Sequence, residues 1–256
     1  MDWSELYLYT LIFMRTSGFV LLNPILGRTS LPNLVRAGMA MVLSIFLVGV
    51  VDQSPAVPAN IVEYMLRLLL ELGVGFVLGF VMQLFFMVIE MGGEVIDAQM
   101  GLNMAQVYDS SSQVNMTVTA ALLNVLMILT FFAENGHYTM LRIFLASQRV
   151  VPFGQVALGQ QVASGMAEVF LSCMLLAVKL ALPILAAELL GELGMGILMK
   201  AIPQINAFVI NIELKVIIGL VLFFLFLTPI SEFLLGVEAE MLGTMEQALT
   251  MVVASG

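Results

Sequence analysis

Between Glu71 and Glu90 the chain runs for 18 residues without a charged side chain, and comparable apolar runs recur along its whole length. That feature constrains the fold more than any other. A run of this kind has to be covered by lipid or by protein, because water does not tolerate large contiguous apolar surfaces. The rest of the composition agrees. Of the 256 residues, 61% are hydrophobic and 11% are charged, and the mean hydropathy is +1.06. Soluble domains carry about 45–50% apolar residues. A membrane-associated or extensively partnered protein is therefore expected.

The runs are rich in Leu, Val and Met and are separated by Pro, Gly and Asn clusters, which reads as helix rather than strand. The pattern predicts an all-α fold with helices near 4–23, 33–51, 60–100, 115–133, 137–149, 161–200 and 206–250. The last two are expected to be broken internally, with Pro183 a helix breaker in the first; as spans, one is interrupted by Lys179 and Pro183 and the other by Glu213 and Lys215.

Clean membrane spans are harder to draw. A span needs about 20 apolar residues. Only 72–89 and 110–133 are uncharged, clearly apolar and at least 18 residues long. Counting Lys and Arg in the connections gives no consistent orientation either. Arg28 and Arg36 would place the first connection in the cytoplasm. The third, near 90–116, holds Glu90, Glu94, Asp97 and Asp109 and no basic residue. Many of these helices are thus expected to pack against protein rather than lipid. Gly73, Gly75 and Gly79 on one segment, and Gly191, Gly194 and Gly196 on another, suit close helix contact.

Several functions are disfavoured. A net charge of −9 speaks against nucleic acid, whose phosphates need basic patches. The basic footprint of an anionic-lipid binder is missing too. Cys173 is the only cysteine, so no internal disulfide is possible. The acids of "MDWSELYLYT" argue against a cleavable signal. His137 is the only histidine, and neither a GxSxG elbow nor a P-loop is present. Metal-ligand spacing is absent as well. A non-enzyme without cofactor or metal is expected.

Three stretches stand out. In "EMGGEVIDAQMG", Glu90, Glu94 and Asp97 fall at i, i+4 and i+7 and share one helix face with Gln83 and Gly101. An Asp at the bilayer centre costs about 2.5–3.5 kcal/mol on insertion scales. This face is therefore expected to meet water, a cavity or a cationic neighbour. Next comes "GLNMAQVYDSSSQVNM", a polar break between two apolar helices, where a connecting loop or a gate would sit. The third runs from Ala181 to Leu220. Glu188, Glu192, Lys200, Glu213 and Lys215 are too polar there for lipid, and Lys200 is placed to pair with one of the glutamates. Methionine is abundant, at 20 residues, with Met82, Met87, Met91, Met100 and Met104 around the acidic stretch. It is a deformable packing residue.

Taken in order, these pieces resemble the FliR family of flagellar export proteins and their virulence-secretion relatives. The N-terminal "FMRTSGFVLLNPILGRTSLPNLVRAGMAM" matches at Arg15, Gly18, Pro24, Pro32 and Arg36. The central "GGEVIDAQMGLNMAQVYD" is similar to the family's central motif. The "PQINAF" of Pro203, Gln204, Ile205, Asn206, Ala207 and Phe208, with Lys215 and Gly219 after it, resembles its C-terminal motif. Lys200 ahead of that motif, where Arg is frequent, and Glu213, where Pro is frequent, depart from the pattern.

The resemblance implies one domain over 1–256, a pore subunit of a type III export gate in the bacterial inner membrane at the flagellar basal body. FliP-like, FliQ-like and FlhB-like subunits are the implied partners, and unfolded proteins pass through in transit. It implies broken helical hairpins packed within an assembly rather than conventional spans. It also implies a plug formed by Tyr108, Asp109, Ser110, Ser111, Ser112, Gln113 and Val114, with Met100 and Met104 suited to a deformable seal. The alternative from the residues themselves is a secondary ion transporter using Glu90, Glu94 and Asp97 as a proton relay.

Overall fold

In a computed structural model, residues 3–28, 31–51, 55–102, 116–201 and 207–254 are described; for 201, 207–212 and 254 this covers the backbone only. Among them the protein is all-helical, as expected. Eight helices follow in order: α1 (Trp3–Leu22), α2 (Asn33–Val48), α3 (Ile61–Met100), α4 (Val118–Ala133), α5 (Gly136–Val150), α6 (Gln160–Ala201), α7 (Ala207–Leu225) and α8 (Leu227–Ala254).

The breaks follow local chemistry. Asn23 ends α1, its side-chain oxygen accepting the backbone N–H groups of Ile25 and Leu26 at 2.9 Å each. Asn135 separates α4 from α5 in the left-handed region, with φ 59°, a conformation Asn tolerates better than most residues. Pro229 sets the break between α7 and α8. It has no N–H to continue the ladder, and the first turn of a helix is where that loss is harmless. Phe226 accordingly lies between the two helices, and Ile230 N–H bonds its carbonyl at 2.9 Å.

One expectation is corrected here. Segment 161–200 is a single 42-residue helix with Pro183 inside it. Pro183 lies exposed, as does Lys179, the residue whose carbonyl would have paired with an N–H at 183. The break expected in the last segment is present, and it falls at Phe226. Among the described residues, three helices, Trp3–Leu22, Ile61–Met100 and Gln160–Lys200, suffice by length and composition to cross a membrane. Counting each of two bent pairs as one span makes five.

The chain forms two compact units, each built from separate stretches. The first comprises Met1–Phe85, Asn135–Leu171 and Ala239–Gly256; the second comprises Phe86–Glu134 and Ser172–Glu238. In the first, α1 lies against α3 at glycine contacts. A Cβ on Gly18 would stand 2.2 Å from the Leu72 carbonyl oxygen, and one on Gly75 would stand 1.8 Å from that of Arg15. Gly79 meets Phe19 and Asn23 in the same way. The core there includes Leu11, Ile12, Leu78 and Met82, with Phe19 stacked on Phe144 at 4.5 Å between ring centroids.

This unit also holds a buried ion pair. Arg15 Nε donates to Glu71 Oε2 at 2.6 Å, and both side chains are 1% exposed or less. Glu71 Oε1 accepts Gly154 N–H at 2.7 Å. Arg15 Nη1 donates to the Val151 carbonyl at 2.9 Å, and the guanidinium lies 4.2 Å from the Phe153 ring centre. One ion pair thus joins α1, α3 and the connection between α5 and α6.

The second unit is centred on the last turns of α3, with Ile89, Ile96, Leu123, Met127, Phe131, Leu180 and Ile184 in its core.

Candidate functional site

The adjacent glycines of the acidic stretch face two different helices. A Cβ on Gly93 would lie 2.4 Å from Ala120 Cα and 2.6 Å from Ala120 N, so α3 and the start of α4 meet backbone to backbone. A Cβ on Gly92 would meet Leu180 Cδ2 of α6 at 2.6 Å. The two substitutions should therefore differ. Gly93→Ala presses on backbone that cannot rotate away, and overpacking of that kind costs about 1–3 kcal/mol. Gly92→Ala presses on the end of a leucine side chain and regains up to about 1 kcal/mol of helix propensity. Thermal unfolding of the detergent-purified protein should rank Gly93→Ala clearly below Gly92→Ala. Equal midpoints would contradict the backbone contact.

Along α3 the acids have different surroundings. Glu90 is half-buried, Glu94 is exposed and Asp97 is fully buried. Gln83 is half-buried. Val95 is exposed while Val88 is buried. Exposure therefore follows what packs locally and not the helical face alone.

Asp97 is the most constrained of the three. Its Oδ2 accepts the Thr119 backbone N–H at 2.8 Å, and its Oδ1 accepts the Thr119 hydroxyl. Thr119 is the second residue of α4, whose own cap residue, Thr117, makes no side-chain cap bond. The carboxylate of α3 thus supplies the anion that a helix N-terminus favours. The backbone of Asp97 is engaged as well. Its carbonyl accepts Leu102 N–H at 3.0 Å, and the Ala98 carbonyl accepts Gly101 N–H at 3.3 Å. Gly101 has φ 78°. This pair of bonds around a left-handed glycine is the Schellman ending of a helix.

Further polar groups gather on α6 and α7. Lys215 pairs with Glu192, so the cation is Lys215 and not the Lys200 placed there by sequence, which lies exposed. Glu188 is buried, and neither of its carboxylate oxygens has a hydrogen-bond partner among the described residues; Lys215 and Glu192 act on it electrostatically. Gly219 makes room for this group, since a Cβ there would lie 2.6 Å from Glu188 Oε1 and 2.5 Å from Met100 Cγ. Met100 is fully buried at that contact. Glu213 is exposed.

The remaining sequence-derived site residues lie elsewhere. Met104, Tyr108–Val114, Pro203, Gln204 and Asn206 are outside the described residues, and Phe208 is described only as backbone within α7. No metal-holding group of His, Cys, Asp or Glu occurs among the described residues. Sequence reasoning passed over Glu71 as a functional residue and used Arg15 only as a motif position. The available signal was a lone anion and a lone cation, each inside an apolar helix, which calls for a partner.

Described residues that are all helical, with long exposed apolar helix faces, helices long enough to cross a bilayer and a few buried charges held by polar partners, define a membrane-embedded protein. Comparison makes this specific. Residues 6–241 match the family described as "Bacterial export proteins, family 1". The chain is 30% identical over 238 residues to the flagellar biosynthetic protein FliR of Escherichia coli K12, covering 91% of this chain and 88% of that one. It is 24% identical over 247 residues to the protein of that name from Bacillus subtilis 168, covering 95% of each. It is also 26% identical over 210 residues to the Yop proteins translocation protein T of Yersinia pestis, covering 81% and 80%. The chain belongs to the FliR family of bacterial export proteins, and its role is that of a protein-export component.

Proposed function

We propose that the chain, acting as one domain over residues 1–256, is a pore subunit of the flagellar type III export gate in the inner membrane. FliP-like and FliQ-like subunits would complete the closed channel, an FlhB-like subunit would adjoin it, and unfolded export substrates would pass through it. It performs no chemistry of its own. The observation that carries this reading is the apolar face of α6. Leu175, Val178, Leu182, Leu189 and Leu193 are all exposed at helical spacing on the same helix that holds Glu188 and Glu192. Apolar contact on a helix that also carries carboxylates suits neighbouring protein better than lipid. The flagellar assignment draws on the Escherichia coli FliR relative, 30% identical over 91% of the chain, against 26% identity over 81% for the translocation protein.

The polar break then acts as the plug, with Tyr108–Val114 on the pore axis and Met100 and Met104 beside it as deformable packing. Gln83, Glu90 and Glu94 would line the path or meet a neighbour. Deleting Asp109–Gln113 should make cells leaky to small solutes while leaving the subunit in the assembly. An intact permeability barrier after that deletion would remove the plug role. The transporter alternative gains no support from the geometry, because Asp97 is tied to Thr119. Proton-coupled uptake by the purified protein alone in liposomes would revive it.

A further inference from the structure

We infer that the groove between α1 and α2 binds one phospholipid, with Arg36 holding the phosphate and the apolar lining taking an acyl chain. The groove has a volume of about 350 Å³, within the range of ~300–1,000 Å³ usual for small-molecule sites. Two helix stripes form it. Ser17, Val20 and Leu21 line it from α1, and Arg36, Ala37 and Ala40 line it from α2, each set at the spacing of one helix face. Val20 and Ala40 are buried, whereas Leu21 and Ala37 are exposed. The groove is therefore closed on its inner side and open outward. Both helices belong to the first compact unit.

The charge in this groove lacks a counter-charge. Ion pairs among the described residues engage Arg15, Arg67 and Lys215, and none involves Arg36. Arg36 Nη2 donates to Asn33 Oδ1, a neutral acceptor one turn back. Its Nε is out of solvent and has no hydrogen-bond partner among the described residues, which is unfavourable until an acceptor reaches it. The side chain as a whole is half-buried, so an anion seated in the groove reaches the guanidinium. The helix itself favours one. α2 has no acid in its first turn, and Pro32 at its cap position makes no side-chain bond, so the positive end of the helix stays uncompensated beside Arg36. Past Arg36 the lining on α2 is Ala37 and Ala40, small residues that leave width for a hydrocarbon chain. A phospholipid joins the two requirements in one molecule, an anion for the guanidinium and a chain for the apolar stretch beyond it. A carboxylate side chain from a neighbouring protein would answer the guanidinium and leave the rest of the groove empty. The position agrees. α1 is among the helices long enough to cross a bilayer, and Arg36 lies in the opening turns of the next helix, where an arginine reaches the headgroup layer. One guanidinium set in a groove is also a different arrangement from the polybasic surface that this sequence lacks.

The test uses the full-length chain, purified in detergent, stripped of lipid and titrated with phosphatidylglycerol, with bound lipid counted by native mass spectrometry. One lipid should bind saturably. Arg36→Gln should weaken it by about tenfold or more, as expected for one charge-assisted bond. Ala37→Trp keeps the charge and fills the open side of the groove, and it should weaken binding as much. Arg142→Gln, which removes an exposed arginine of α5, should bind as the wild type does. A ligand that binds only the folded protein also stabilises it, so phosphatidylglycerol should raise the unfolding temperature of the wild type and not that of Arg36→Gln. Two further probes divide the lipid. Diacylglycerol with the same chains lacks the phosphate, and glycerol phosphate lacks the chains. Each should bind about tenfold more weakly or worse. Equal binding of diacylglycerol removes Arg36 from the site, equal binding of glycerol phosphate reduces it to a plain anion site, and either result overturns the proposal. Wild-type affinity in both Arg36→Gln and Ala37→Trp overturns it too. In the isolated export assembly, a phospholipid retained by the wild type and lost from Arg36→Gln supports the site. If the assembly holds no lipid there and Ala37→Trp instead releases a neighbouring subunit, the groove belongs to protein and the lipid is ruled out. Should Ala37→Trp not accumulate, Arg36→Gln carries the comparison, because that side chain has no ion pair to lose among the described residues. None of these outcomes depends on the plug or on the pore.

Discussion

Arg15→Met and Glu71→Leu should each destabilise the protein by about 3–5 kcal/mol, and the double variant should be more stable than either. The reason is what each single change leaves behind. Without Arg15, the Glu71 carboxylate stays fully buried and keeps only the Gly154 N–H at 2.7 Å. Without Glu71, the guanidinium keeps the Val151 carbonyl and the Phe153 face but loses its counter-charge. An uncompensated buried charge is what makes breaking such pairs severe. Replacing both partners with apolar side chains of similar volume removes the charge altogether and is often close to neutral. Methionine suits the site because it fills irregular space. The check is a double-mutant cycle on thermal unfolding in detergent, with membrane abundance as the second measure. For a chain of this size the single variants should fall by on the order of 10 °C. Additive losses in the double variant would show that the residues act independently and that the pair is not the hub described.

Much of the helical layout was open to inspection in the sequence, because it depends on local properties. Apolar periodicity, Asn23 with Pro24, Asn135 with Gly136 and the GxxxG of Gly75 and Gly79 all act within a few residues of themselves. What escaped depends on distant partners. Periodicity puts Asp97 on a face with Glu90 and Glu94, but the partner that buries it, Thr119, arrives from another helix. Arg15 and Glu71 lie 56 positions apart. The choice of Lys215 over Lys200 for Glu192 likewise turns on how α7 returns along α6. Pro183 was misjudged for a different reason. An interior proline removes one ladder bond and crowds the carbonyl four residues back, which can bend a helix without ending it, and the packing that carries α6 through Pro183 comes from residues distant in sequence. For the candidate site, the glycine pair signalled close packing, while its division between α4 and α6 needed the structure.

Gly75→Ala should be the most disruptive single-methyl addition in the protein. The new Cβ would stand 1.8 Å from the Arg15 carbonyl oxygen, 2.7 Å from Phe19 N and 2.8 Å from Arg15 C. All three are backbone atoms of α1, so no rotamer change relieves them. An ordinary carbon contact needs about 3.5–4.0 Å, and the helices would have to separate by more than 1 Å in the direction of the clash. Separation there also pulls Arg15 away from Glu71, because the clash is with Arg15 itself. The loss should therefore exceed the usual range of about 1–3 kcal/mol for overpacking and approach that of breaking the ion pair. Gly236→Ala provides the contrast. No atom lies within 4 Å of a Cβ there, and the position is inside α8. Alanine should gain up to about 1 kcal/mol of helix propensity at that site. Thermal unfolding of the two variants side by side should move in opposite directions from the wild type. If Gly75→Ala unfolded within a degree or two of Gly236→Ala, α1 and α3 would not be in backbone contact, and the glycine spacing would have no structural role.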